Sequence, residues 1–152
     1  MAARAEWVAK NAEERRRLAS LITHLTPEQL ALALPNGWTV ATALVHLAFW
    51  DLRQAALLRR FVEEGVKPGS LDAEAVNEPL SQIAEILPPE AAVALALDAA
   101  ETTDQAVADL TEDQVEALRQ LGFERNLKRY LHRQNHLDKI EKVLKPGGAK
   151  GA

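Results

Sequence analysis

The sequence predicts an all-α protein, and three observations lead to that prediction. Alanine, leucine, glutamate and arginine, which all form helices readily, dominate the chain of 152 residues. Runs of β-branched residues, which mark strands, are missing, and apolar residues recur instead at helical spacing. Turn signals divide the chain into four long helical segments. We therefore expect a four-helix bundle with a long crossover between its second and third long helices.

The first long helix is predicted over residues 3–25. Its buried stripe is expected to consist mainly of Trp7, Ala12, Leu18, Leu21, Ile22 and Leu25. Residues 26–29 (TPEQ) form a capping box with proline at the first helical position, which predicts a short helix that ends before Pro35. Residues 35–37 (PNG) then predict a turn.

The second long helix is predicted over residues 39–64, where Thr39 is placed to cap its start and Gly65 to end it. Its strongest apolar stripe consists of Val40, Ala43, Leu44, Leu47, Leu58 and Val62. His46 falls at the edge of this stripe, beside Trp50 and Leu57. This imidazole is therefore expected to border the core.

An irregular crossover is predicted between the second and third long helices, because residues 66–87 contain several proline and glycine signals. One short helix is expected within it, at about residues 72–86. The third long helix begins at Pro89. Its core positions keep helical spacing and are mostly small: Ala92, Leu95, Ala99, Thr102, Ala106 and Leu110.

A second capping box, residues 111–114 (TEDQ), predicts a short helix that ends at Gly122. The final long helix is predicted over residues 124–144. We expect one domain over residues 1–145 and a disordered tail over residues 146–152, which begins with Pro-Gly-Gly.

The composition excludes several classes of function. The chain has no cysteine, so disulfides and thiolate ligands are excluded and any reacting thiol must be a small molecule. A net charge of −4 with mixed signs argues against a nucleic-acid partner, and no glycine-rich phosphate-binding string occurs. No segment has the apolar length of a membrane span or of a signal peptide. A cytoplasmic protein without a membrane partner is expected.

Three histidines inside apolar helical patterns form the candidate site. His132 and His136 have i, i+4 spacing, which places both rings on one helix face roughly 6 Å apart. His46 can supply a third nitrogen if the second and last helices pack together. Three neutral imidazoles with one open position are typical of a catalytic site for zinc or nickel. The alternative is three polar edge residues bonded to carbonyls or solvent, and His24 is interpreted as structural.

Two arginines are candidates for binding an anionic substrate group. Arg53 follows His46 by seven positions and Arg129 precedes His132 by three, so both project toward the same sides as those ligands. For each arginine the alternative is a solvated side chain at the rim of the bundle.

Two tryptophans and one asparagine lie near the candidate site in the predicted fold. Trp50, four positions after His46, can form a wall of the substrate pocket or belong to the ordinary core. Trp38 directly precedes the Thr39 cap and is interpreted as a packing residue. Asn77 in the crossover can reach the mouth of the pocket, but we favour the alternative of a solvated loop residue.

Four short sequence strings are distributed along the chain, and together they span nearly its whole length. They are residues 25–30 (LTPEQL), 37–40 (GWTV), 46–51 (HLAFWD) and the closing His132-x-x-x-His136 with Ile140. In these strings the chain resembles the DinB/YfiT-like bundle proteins. The resemblance implies a four-helix bundle that often dimerises. It also implies a divalent metal, nickel or zinc in relatives, held here by His46, His132 and His136.

The resemblance also implies a type of reaction. Relatives include thiol-dependent S-transferases and a mycothiol-dependent maleylpyruvate isomerase. The isomerase branch has a glutamate where this chain has His132, so the chain departs from that branch. We expect a homodimeric, metal-dependent enzyme that activates a low-molecular-weight thiol for transfer to a small electrophile. The alternatives are a non-catalytic metal-binding or dimeric interaction module and a metal-assisted hydrolase.

Overall fold

The computed structural model describes residues 2–65, 67, 69 and 72–145, and within these ranges its regular secondary structure is helical. The helices are α1 (Ala2–Ile22), α2 (Pro27–Leu30), α3 (Val40–Glu64), α4 (Ala73–Ile86), α5 (Pro89–Ala108), α6 (Glu112–Gln120), α7 (Glu124–Leu127) and α8 (Arg129–Leu144). The predicted all-α class is confirmed. The predicted tail, residues 146–152, lies outside the described residues.

The four longest helices, α1, α3, α5 and α8, pack together. Helix α1 packs against α5 and α8, and α3 packs against the same two helices. Helix α4 lies in the connection between α3 and α5 and packs on α3. Across the described ranges, no helix combines the length and the apolar character that crossing a membrane requires.

Local sequence signals set the helix boundaries. Both predicted capping boxes form, because each threonine accepts a hydrogen bond from the glutamine N–H three positions later and each glutamine side chain accepts one in return. Thr39 caps α3 by accepting from the N–H of Thr42. Helix α3 ends at Gly65, whose φ of 67° lies in the left-handed region that favours glycine.

The last predicted helix is interrupted, so the expectation of one continuous helix was wrong. Lys128 has φ −85° and ψ 67° and separates α7 from α8. Asn11 of α1 stabilises this break: its Nδ2 donates to the carbonyl of Leu127 (3.0 Å) and its Oδ1 accepts from the N–H of Tyr130 (2.9 Å). The amide thus bonds the backbone groups on both sides of the break, which leaves neither of them unpaired.

Two apolar clusters fill the interior, and a layer of polar residues lies between them. The smaller cluster is formed mainly by Trp7, Leu58, Val107, Leu118 and Leu127. The larger cluster contains residues such as Leu18, Leu47, Ala100 and Leu137. Each of the four long helices has buried polar residues that lie along the chain between the two clusters. Four of them are joined by the hydrogen bonds of Arg133, and we call this set the polar layer: Asn11, Asp51, Asp104 and Arg133.

Some predicted core positions are exposed, because the apolar pattern omitted the polar layer. Val62 and Leu95 are 48% and 37% exposed, and Thr102 is also exposed. The buried face of α5 consists instead of Ala92, Ala96, Ala99, Ala100, Thr103, Asp104 and Val107. On α1, Asn11 and Glu14 are buried and Ala12 is only partly so. On these helices the predicted apolar stripe is therefore rotated around the helix axis, away from the face that is buried in the structure.

Candidate metal centre

The structure brings the three predicted histidines together. His46 lies on α3, and His132 and His136 lie one turn apart on α8, which packs against α3. The His46 ring centroid is 5.1 Å from that of His132 and 4.6 Å from that of His136, and the two α8 rings are 4.8 Å apart. One nitrogen of each ring lies within 4.8 Å of the others, so the three rings form a group that could hold a metal ion.

The donor set suits one divalent ion. Nε2 of His46 and Nε2 of His132 face each other at 3.0 Å. Two nitrogens bound tetrahedrally at about 2.0–2.1 Å from one ion lie about 3.3 Å apart, so only a small movement of the rings separates the observed distance from that value. Imidazole nitrogen is a ligand that both zinc and nickel accept.

Burial keeps the three imidazoles neutral. It lowers the pKa of His46 to about 4, that of His132 to about 2 and that of His136 to about 3. The charge of Arg129 lowers the pKa of His132 further, and Lys139 acts in the same direction on His46 and His136. At neutral pH each ring therefore has one unprotonated nitrogen, and neutral imidazole is the form that binds a metal ion.

Two indoles border the histidines. The Trp38 ring centroid is 4.9 Å from that of His46 and 6.5 Å from that of His136, on which it stacks with an interplanar angle of 11°. The Trp50 ring centroid lies 6.3 Å from that of His46. Trp38 is thus more than the packing residue that the sequence indicated, because its ring covers two of the three imidazoles.

Asn77 lies on α4, where it is partly buried, and is not the solvated loop residue that we expected. Its Oδ1 accepts a hydrogen bond from Nε1 of Trp50 at 3.0 Å. Helix α4 thereby fixes the orientation of an indole that borders the candidate metal centre.

Substitution Asn77→Ala is expected to destabilise the fold by about 1 kcal/mol, because Nε1 of Trp50 loses its partner. Urea unfolding measures this change, and Gln82→Ala on the exposed face of the same helix is the matched control. Alanine favours the helix at both positions. Equal effects of the two substitutions would show that the Trp50 bond contributes nothing measurable.

His132 is connected to the polar layer through Arg129. Nη2 of Arg129 lies 3.3 Å from Nδ1 of His132, and its Nε donates to Oδ1 of Asp51 at 2.8 Å. The other oxygen of Asp51 accepts from Nη2 of Arg133 at 3.3 Å. Arg129 is only 7% exposed, so the alternative of a solvated rim arginine is wrong for this residue.

Sequence reasoning missed Asp51 and Arg133 as parts of this network. A signal was present, because Arg129 and Arg133 have i, i+4 spacing on α8 and Asp51 follows His46 closely on α3. Charged residues on the inner side of an amphipathic helix are expected to pair, and that rule would have identified them.

A cavity of about 260 Å³ opens beside His132. Its lining residues are Trp50, Arg125, Asn126, Lys128, Arg129, Leu131, His132 and Asn135. Two of the three predicted substrate contacts, Trp50 and Arg129, thus line it. Arg53 does not, but its guanidinium lies 5.5 Å from the centre of the Trp50 ring and is partly buried. His24 is exposed near the end of α1, apart from the other histidines.

Comparison with known proteins identifies the family of the chain. Residues 11–136, which include all three clustered histidines, match the DinB superfamily. Comparisons with curated proteins and with solved structures give no match. Because the matched segment covers most of the chain, this protein belongs to the DinB superfamily.

Proposed function

We propose that the protein is a divalent-metal-dependent enzyme that activates a low-molecular-weight thiol for S-transfer to a small electrophile. The observation that carries this proposal is the convergence of three neutral imidazoles beside a cavity. His46, His132 and His136 would hold a zinc or nickel ion. Because the chain has no cysteine, a thiol that takes part in the reaction would have to be a small molecule.

Three neutral ligands would leave the full charge of the ion uncompensated, and such an ion lowers the pKa of a thiol or water molecule that it binds. The side chains of the protein then have the task of binding and orienting the reactants. We propose that Arg53, Arg129 and Trp50 contact the substrate, with Trp50 as a wall of the cavity. The homodimer stays a prediction, which light scattering on the purified protein would check.

Elemental analysis of protein made without a histidine tag tests the metal centre. We expect about one zinc or nickel ion per chain in the wild type and less than about a tenth of that in His46→Ala, because one of three ligands is lost. The matched control is His24→Ala, which removes an exposed histidine and should leave the metal content unchanged. Equal metal content in His46→Ala and the wild type would contradict the assigned site.

Turnover assays test the reaction. The metal-loaded protein is incubated with a panel of small thiols and an aromatic halide as the electrophile. We expect turnover that requires the thiol and that is lost on chelation and in His46→Ala. Turnover without any thiol would instead indicate metal-assisted hydrolysis. A fully loaded protein that is inert with every thiol would favour the non-catalytic module.

A further inference from the structure

We propose that the cavity beside His132 binds an anionic group of the substrate, either a carboxylate or a phosphate. This inference deepens the proposed function, on which it rests, because it names the class of substrate. It is based on the charge of the cavity walls, on two arginines that have no carboxylate partner among the described residues, and on the position of the cavity next to the histidine cluster.

The charged residues that line the cavity are all cationic: Arg125, Lys128 and Arg129. No aspartate or glutamate is among the described residues of the lining. Lys128 is paired with Glu124 at 2.6 Å, and Arg129 is paired with Asp51 at 2.8 Å. Within the described part of the chain, the Arg125 guanidinium has no carboxylate partner and so remains available to a ligand.

Arg53 adds a second uncompensated charge at this end of the bundle. Its guanidinium lies over the ring of Trp50, which lines the cavity, and it forms no ion pair with any described carboxylate. Burial, followed by the charge of Arg129, lowers the pKa of Arg53. Arg53 and Arg129 therefore lie close enough for their positive charges to repel each other. A bound oxyanion would relieve this repulsion, and the planar fork of arginine fits carboxylate and phosphate oxygens.

The size and the remaining walls of the cavity agree with a small, partly polar ligand. Its volume of about 260 Å³ lies just below the range of about 300–1,000 Å³ that is typical of sites for drug-sized molecules. Asn126 and Asn135 offer amide donors, and Trp50 offers an apolar face. Because His132 is part of the same lining, a ligand held by the arginines would extend toward the histidine cluster.

Titration of the full chain with simple anions tests the inference. Inorganic phosphate, succinate and the uncharged succinamide are added separately to chelated and to zinc-loaded protein. The Trp50 indole N–H signal in ¹⁵N NMR spectra reports binding. We expect saturable binding of phosphate or succinate, but not of succinamide, in both forms of the protein. The tighter of the two anions identifies the group that the natural substrate carries.

Variants assign the binding to the arginines. Arg53→Gln and Arg125→Gln should each raise the dissociation constant about tenfold, because each removes a charged hydrogen-bond donor. Neither arginine has an ion pair within the described residues, so both variants should fold, which circular dichroism checks. The matched control is Arg16→Gln, on the opposite face of α1 from its buried residues, and it should bind like the wild type.

Two results would overturn the inference: unchanged affinity in both Arg53→Gln and Arg125→Gln, or an equal loss of affinity in Arg16→Gln. Measurements on the chelated protein keep this test separate from the test of the proposed function. If the metal-free protein binds anions and this binding depends on the arginines, the anion site is supported even when metal-dependent turnover fails. Thiol transfer to uncharged electrophiles without anion binding would support the enzyme and refute the anion site.

Discussion

Replacing Arg133 with alanine is expected to destabilise the fold by about 3–5 kcal/mol, because it leaves the buried Asp104 without its main cation and removes a second cation from Asp51. Arg133 is fully buried. Its Nη1 and Nη2 bind the two oxygens of Asp104 at 2.9 and 2.8 Å, and Nη2 also donates to Asp51. Its nitrogens further donate to the carbonyls of Asn11 and Ala100. The substitution therefore removes bonds to all three of the other long helices.

Urea unfolding measures this loss, and Arg15→Ala is the matched control. Arg15 also bonds Asp104, at 3.1 Å, but its side chain is 36% exposed, so we expect a loss of less than about 1 kcal/mol. Adding Asp104→Ala to Arg133→Ala should recover part of the stability, because the second substitution removes a stranded charge. A loss for Arg133→Ala as small as that for Arg15→Ala would refute the account of the polar layer.

Lowering the pH from about 6.5 to 4.5 is expected to destabilise the metal-free protein by several kcal/mol. Over this interval the histidines of the unfolded chain bind protons, whereas the native rings, with pKa values of about 4, 2 and 3, largely do not. The three histidines therefore leave the free energy of unfolding unchanged above pH 6.5 and lower it as the pH falls below that value. Each histidine lowers it by at most about 1.4 kcal/mol per pH unit. The charges of Arg129, Arg133 and Lys139 oppose protonation of the cluster, whereas a hydrogen bond with Asn77 acts in the opposite direction on the pKa of His46.

The slope of unfolding free energy against pH, measured on chelated protein, checks this expectation. A variant with glutamine at positions 46, 132 and 136 should show a shallower slope, because it lacks the three groups but keeps every carboxylate. His24→Gln, at an exposed position, should keep the slope of the wild type. Parallel slopes for the wild type and the triple variant would show that the rings accept protons freely in the folded state.

Features that depend on neighbouring residues were predictable from the sequence. Thr39 and Gly65 mark the ends of α3 correctly because caps and left-handed glycines act within a few positions. The convergence of the histidines was predictable for a related reason. Each ring borders an apolar stripe, and stripes face one another when long helices pack. Their role as metal ligands stays a prediction.

Features that depend on distant partners were not predictable. The break at Lys128 is stabilised by an amide that lies 116 positions before Leu127, and no local pattern encodes that contact. Arg53 and Arg129 each lie at helical spacing from one of the histidines, so the sequence does not distinguish their environments. Only the structure shows that Asp51, 78 positions from Arg129, pairs with one arginine and that no described carboxylate pairs with the other. The cavity itself emerges only when α3, α7 and α8 pack together.

The polar layer fixes the position of α8 along α3. Ion pairs are directional, so sliding α8 along α3 by one turn would strand a charged guanidinium in a hydrocarbon environment, whereas purely apolar contacts tolerate such slippage. Arg133 directly follows His132, and Asp51 lies little more than one turn from His46. The same penalty that fixes the register of these two helices therefore keeps the three imidazole rings in mutual reach before any ligand arrives.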